Sequence, residues 1–226
     1  MSTDKQKVKI MVGSTVYGFE DQLSQIIAQL NVLGFETLNS HYGSIKVNPN
    51  LSNLENCLTA VEECDLFLGI IRPYCGTGNI GDKNITFEEI KKAIELKKPY
   101  WFLVHRDVTF ARNLFKKIKL KSGDEIELKD NKLVCRAVTF VCNLFKKNKR
   151  KSGYKIELED NKLFDMLSIE IYEYVIKNHI PVTLRNGNWA QEFYRLDEMM
   201  VYINAQFSDN QFINEIINQT NSRNGK

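Results

Sequence analysis

The chain of 226 residues is 43% hydrophobic, 11% aromatic and 26% charged, an ordinary globular composition that excludes a disordered tail, a collagen-like fibre and a coiled-coil rod. Its 31 Lys+Arg against 28 Asp+Glu leave a net +3, too mild a surplus to imply a specific nucleic-acid partner or an anionic membrane. No apolar run approaches the ~18–20 residues of a bilayer span, the opening MSTDKQKVK lacks a signal-peptide core, and five cysteines without a Cys-x-x-Cys pair suit a reducing interior, so a cytoplasmic protein with no membrane partner is expected.

Strand and helix patterns alternate over the first hundred residues. Residues 7–12 form a short β-rich run that ends in the loop signal Gly13-Ser14-Thr15. Phe19, Leu23, Ile26, Ile27, Leu30 and Leu33 then recur at helical spacing, and Gly34 stops the helix. Residues 35–38 predict a second strand and residues 42–50 a loop. A helix carrying Leu51, Leu54, Leu58 and Val61 follows, with Ser52 and Glu55 at capping-box spacing. The continuous apolar run 66–71 predicts a strand buried on both faces. A Gly-rich loop over 72–81 leads to a helix carrying Phe87, Ile90, Ala93 and Ile94, and then to a strand over 100–104. Strands separated by helices in this way imply βαβ units and a parallel sheet.

The middle of the chain is a tandem repeat. Residues 104–133 and 134–163 are identical at 21 of 30 positions. Each copy predicts a short basic helix (110–117 and 140–147), a polar turn and an extended Ile-Glu-Leu piece. Two copies fall short of the ~3 that a solenoid needs. One copy is therefore expected to supply an element of the fold and the other to be an insertion. The lysine clusters within 116–121 and 146–151 predict solvated helix faces.

The last third predicts helices. Phe164, Leu167, Ile171, Tyr172, Val175 and Ile176 mark one, and residues 180–184, which contain Pro181, suit an edge strand. Trp189, Phe193, Leu196, Met200, Ile203 and Phe207 mark a long helix, and Phe212, Ile216 and Ile217 a short one. The expected organisation is a single domain over 1–217, with core 7–105, helical part 164–217, and a frayed tail over 218–226.

Ligands of open parallel sheets bind beyond the carboxyl ends of the strands. The loops expected there are 13–19 and 72–84. The first offers Gly13, Ser14, Thr15 and Tyr17, suited to phosphate or ribose oxygens, or else merely to turning the chain and capping a helix. The second offers Arg72, Tyr74, Gly76, Thr77 and Gly78, with Tyr74 able to stack on a ring. Neither the phosphate-loop nor the dinucleotide fingerprint is present. Glu89, directly after the Gly-rich loop, is the acid singled out: a carboxylate beside a ribose can stabilise positive charge as a glycosidic bond breaks. Thr86 and Glu89 also have capping-box spacing, and spacing alone favours the cap. His41, His105 and His179 show no metal spacing, so no metal is expected. Cys75 suits a buried or loop thiol better than a nucleophile.

The segments VKIMVGST (8–15), CDLFLGIIRPYCGTG (64–78) and ITFEEIKKAIELKKPYWFLV (85–104) resemble the TIR-like domain of unknown function, a family of bacterial and NTPase-linked immune-type proteins. The resemblance covers residues 7–105, with 187–207 as a family-specific tail. It implies a flavodoxin-like parallel sheet with helices on both faces, within the TIR and nucleoside deoxyribosyltransferase-like superfamily. Members of that superfamily that act on NAD use a glutamate on the helix before the fourth strand, in a Glu-aliphatic-x-x-Ala pattern, which Glu89-Ile90-Lys91-Lys92-Ala93 fits. The resemblance thus implies an NAD-cleaving enzyme that releases nicotinamide and needs no cofactor. It would work in antiphage defence or signalling, as a homo-oligomer and with a possible protein partner. A non-catalytic module binding a nucleotide or partner, and a deoxyribosyltransferase-like N-glycosidase, are the alternatives. The Gly-rich stretch is longer than in TIR domains, Phe87 stands where a tryptophan is frequent, and the repeat falls where TIR domains place their fourth helix.

Overall fold

The apolar runs of the first half assemble into one sheet. A computed structural model of the chain describes residues 7–75, 79–80, 83–117, 165–178 and 190–224. Its elements in chain order are β1 (Lys9–Ser14), α1 (Glu20–Val32), β2 (Glu36–Leu38), α2 (Asn53–Glu63), β3 (Leu66–Ile71), β4 (Asn79–Ile80), β5 (Lys83–Asn84), α3 (Ile85–Glu95), β6 (Tyr100–His105) and α4 (Arg106–Lys117). After the repeat come α5 (Met166–Asn178), β7 (Ala190–Phe193), α6 (Leu196–Phe207) and α7 (Asn210–Asn224). The five long strands run in the order β2-β1-β3-β6-β7, every neighbouring pair parallel. With helices on both faces this is the parallel sheet that the alternation of elements predicts, in the flavodoxin-like arrangement that the family resemblance implies.

Two apolar layers explain why β1 and β3 lack a polar face. On one side Ile10, Val12, Leu66, Leu68 and Ile70 pack against Leu23 and Ile26 of α1, Met199, Ile203 and Phe207 of α6, and Ile213 of α7. On the other, Met11, Phe67, Ile71, Phe102 and Val104 pack against Val61 of α2, Ile90 of α3, Val108 of α4, and Ile171 and Val175 of α5. Each fully buried aliphatic side chain contributes roughly 1.5–3 kcal/mol. The punctuation also follows from residue type. Gly34 takes φ +99°, a conformation that L side chains avoid, as α1 ends. Ser52 and Glu55 form the predicted capping box of α2.

The first repeat copy supplies α4. Val108 and Ala111 are buried, and Arg112 pairs with Glu173 of α5 at 2.6 Å. The second copy (134–163) and the predicted edge strand over 180–184 lie outside the described residues.

Three elements differ from expectation. The helix predicted from Trp189 is in fact strand β7 followed by α6. Phe193, Leu196 and Met200 keep helical spacing by coincidence, whereas Ala190, Glu192 and Phe193 take register with Phe102, Val104 and His105. The Glu198 carboxylate accepts from Tyr194 N at 2.7 Å and starts the helix at Leu196. The tail predicted to fray from 218 continues α7 to Asn224, where Thr220 Oγ1 donates to the Ile216 carbonyl and Ser222 Oγ to that of Asn218. Within the Gly-rich loop, β4 and β5 pair antiparallel as a small hairpin. Among the described residues no helix is long and apolar enough to cross a membrane.

Candidate functional site

Strand order reverses between β1 and β3, so their carboxyl ends diverge and leave a crevice. Ser14 ends β1, Asn39 and Ser40 follow β2, Cys75 follows β3, and Asn84 caps α3. These residues, together with Thr15, Tyr17, Thr86 and Glu89, line a cavity of about 230 Å³. Asn39 is pinned in it: its amide donates to the Val12 carbonyl at 2.8 Å and its side-chain oxygen accepts from Tyr42 N at 3.0 Å.

Asn84 aims the catalytic candidate. Its side-chain oxygen accepts from Phe87 N at 3.1 Å and its amide donates to the Cys75 carbonyl at 3.3 Å. The helix start is therefore capped by Asn84, not by Thr86, and the Thr86–Glu89 capping box suggested by spacing does not form. Glu88 turns outward to pair with Lys91 at 2.7 Å. Glu89, next in sequence, turns inward and is 3% exposed. Its carboxyl lies against the backbone of Gly13, where a Cβ would meet Oε2 at 3.2 Å and the Phe67 ring at 2.6 Å. Glycine at 13 thus makes room for the acid. Among the described residues no Lys, Arg or His side chain lines the cavity. Burial pushes the Glu89 carboxyl up to about 8, and the Cys57 thiol opposes the rise.

The residues expected at the site separate into two groups. Ser14, Thr15, Tyr17 and Glu89 share the crevice, and Gly13 lies against the Glu89 carboxyl. Their hydroxyls also serve the scaffold: Ser14 Oγ donates to the Thr15 carbonyl at 3.0 Å and Thr15 Oγ1 to the Tyr74 carbonyl at 2.9 Å. Arg72 braces the same loop, its guanidinium donating to the carbonyls of Thr15, Tyr17 and Gly18 and lying 4.4 Å over the Phe19 ring. Arg72 and Tyr74 line a neighbouring groove of about 510 Å³ at the ends of β3, β6 and β7, together with His105, Tyr194 and Arg195. Tyr74 therefore does not share a cavity with Glu89. That groove is the larger, but no buried acid lines it among the described residues: Arg195 pairs with Asp197 at the surface, and His105 Nδ1 accepts from Asp107 N. The smaller crevice holds the buried acid and is the better chemical candidate. Gly76, Thr77 and Gly78 lie outside the described residues.

Cys75 is 4% exposed, its thiol 3.0 Å from Ser168 Oγ of α5, and burial pushes it up to about 11, as befits a structural thiol. Among the described residues no cluster of His, Cys, Asp and Glu could hold a metal. Asn39, Ser40, Cys57 and Asn84 were not expected at the site. Asn39 and Ser40 follow a strand end, the position the carboxyl-edge rule marks; nothing in the sequence marks Cys57 beyond its place on the inner stripe of α2.

No curated protein matches the sequence. The family model described as a domain of unknown function, DUF4062, matches residues 9–151, from the first strand of the sheet through the crevice and into the second repeat copy. The chain belongs to this family, DUF4062.

Proposed function

We propose that the protein is a TIR-like enzyme that cleaves the N-glycosidic bond of NAD, with Glu89 as its catalytic acid residue. One observation carries this: a buried carboxyl with no cationic partner among the described residues faces a crevice lined by hydroxyls and amides. Such a lining suits a sugar, and the missing counter-charge suits a ligand that brings its own, as the pyridinium of NAD does. At pH 7 a carboxyl titrating near 8 is about one-tenth ionised. A bound pyridinium favours the ionised form, which stabilises the oxocarbenium-like sugar as the C1′–N bond breaks. Nicotinamide leaves with the bonding electron pair. Water then adds to C1′ and loses a proton, giving ADP-ribose, or an adenine nitrogen attacks and closes a cyclic product. Among the described residues no cationic side chain lines the crevice, which supports placing the phosphates outside it, toward the groove of Arg72 and Arg195. In this proposal the protein acts in the cytoplasm, as a homo-oligomer, in bacterial defence.

The test is incubation with NAD and measurement of released nicotinamide, with assembly promoted at high protein concentration. Glu89→Gln should abolish release while keeping the fold; release unchanged in that variant refutes the assignment. Deoxynucleosides as substrates distinguish a deoxyribosyltransferase-like N-glycosidase. A binding-only nucleotide module is favoured by one observation, that Ser14, Thr15 and Arg72 already bond the main chain. NAD raising the melting temperature without turnover would select it.

A further inference from the structure

The crevice of Glu89, at about 230 Å³, is smaller than the ~300–1,000 Å³ of a site that buries a whole cofactor-sized ligand. It has room for a sugar with one ring, and a dinucleotide needs a second cavity on the same edge of the sheet. The groove of about 510 Å³ beyond the Thr15–Tyr74 bond is such a cavity. Among the described residues its lining carries two arginines, Arg72 and Arg195, against one acid, Asp107. The half-buried Arg72 guanidinium donates to the neutral carbonyls of Thr15, Tyr17 and Gly18 and has no carboxylate partner among the described residues. A cation held in place without a counter-charge suits an anionic ligand. Two large rings stand in the same groove, Tyr74 at 42% and Tyr194 at 52% exposure. The Arg106 guanidinium lies 5.2 Å over the Tyr194 ring and the His105 ring 5.6 Å from it, so the direction of Tyr194 is set before a ligand arrives. Aromatic rings beside an arginine on a concave wall suit a planar base that carries a phosphate.

We propose that this groove is a purine-nucleotide site, in which Tyr74 and Tyr194 take the base and Arg72 and Arg195 the phosphates. Resting on the reading of Glu89 as the residue of glycosidic cleavage, the groove holds the adenylate half of NAD while the crevice holds the nicotinamide riboside half. The diphosphate then crosses beside the Thr15–Tyr74 bond, where the Thr15 carbonyl holds the Arg72 guanidinium at 3.3 Å. The linings divide the work: among the described residues the groove has cations and rings but no buried acid, and the crevice has a buried acid but no cation. The substrate class that follows is an adenine dinucleotide, because a mononucleotide leaves one cavity unfilled.

The experiment titrates AMP into the protein by calorimetry. AMP should bind, and adenosine, which lacks the phosphate, should bind about tenfold more weakly. Tyr194→Ala keeps the backbone N that bonds Glu198 at the start of α6. It should weaken AMP about tenfold, the worth of one base–ring stack, and Tyr194→Phe should keep the wild-type affinity. Tyr42→Ala removes an equally exposed ring outside the groove and should leave AMP binding unchanged. In Glu89→Gln, AMP and NAD should displace each other. No AMP binding, AMP held as tightly by Tyr194→Ala as by the wild type, or AMP and NAD bound at once overturns the proposal. AMP binding is read without turnover. Nicotinamide release with no AMP binding would therefore remove the groove site and leave the cleavage reading, and AMP binding without release would do the reverse.

Discussion

The Thr15 hydroxyl donates to the Tyr74 carbonyl at 2.9 Å, and this bond joins the loop after β1 to the loop after β3. It forms the partition between the two cavities of the carboxyl edge. The crevice of Glu89 lies on one side, and the groove that takes the Tyr74 ring lies on the other. Arg72 reinforces the partition by bonding three carbonyls of the first loop. Neutral polar groups are thereby confined with the buried acid, while the arginines face the other side.

Arg72→Ala should loosen the first loop before it unfolds the domain. Three carbonyls lose a charged donor and the Phe19 ring loses its cover. A loss of about 1–3 kcal/mol is expected. Amide exchange should quicken over 15–19 while α3 stays protected; unchanged exchange over 15–19 would show that Arg72 does not brace the loop.

Glu89→Gln should stabilise the protein, and increasingly so with rising pH. Burial raises the folded-state value from the ordinary 4.5 to about 8. Below pH 4.5 both states hold the proton, and the two proteins should melt together. Between pH 4.5 and 8 the unfolded wild type releases a proton that the folded form retains, so wild-type stability falls as pH rises. Above 8 the difference levels off, at most about 5 kcal/mol in favour of glutamine. Melting curves from pH 4.5 to 9 read this directly, and parallel curves would mean that Glu89 is not buried as an uncompensated acid.

That the centre is a parallel sheet was legible because strand and helix patterns alternate, and β3 reads as an unbroken apolar run buried on both faces; the order of its strands was not. β7 was not, because Phe193, Leu196 and Met200 share helical spacing across a strand-to-helix junction, and only pairing with β6 decides it. At the site, Glu89 was legible as an acid after a loop, but its direction was not. Thr86–Glu89 spacing suits a cap, and a side chain two residues earlier, Asn84, takes that role by contact. The separation of Tyr74 from Glu89 depends on the Thr15–Tyr74 bond across 59 residues of chain, which no local pattern encodes.

Ser168→Ala should unfasten α5 from the loop after β3. The Ser168 hydroxyl donates to the Pro73 carbonyl at 3.0 Å and lies 3.0 Å from the Cys75 thiol. Its one proton goes to the carbonyl, leaving the thiol to donate to it. Asp165 adds two bonds, from its N to Pro73 O at 2.6 Å and from Cys75 N to its carboxylate at 3.0 Å. Removing a fully buried hydroxyl here should cost about 1–3 kcal/mol and open Cys75 to alkylation, read by peptide mass mapping. Cys75 equally protected in the variant would show that the latch holds without Ser168.

Gly13→Ala tests the fit between the strand and the acid. The added methyl would lie 2.6 Å from Cζ of Phe67 and 3.2 Å from Oε2 of Glu89. Phe67 is fully buried and has no free space to move into, so overpacking should cost about 1–3 kcal/mol. Much of that strain is against one ring, so Gly13→Ala combined with Phe67→Leu should recover stability in excess of the sum of the two single changes. The contact with Glu89 remains in the double variant, so nicotinamide release should stay impaired after the melting temperature has recovered. Recovery of both together would mean that the glycine is needed for packing alone.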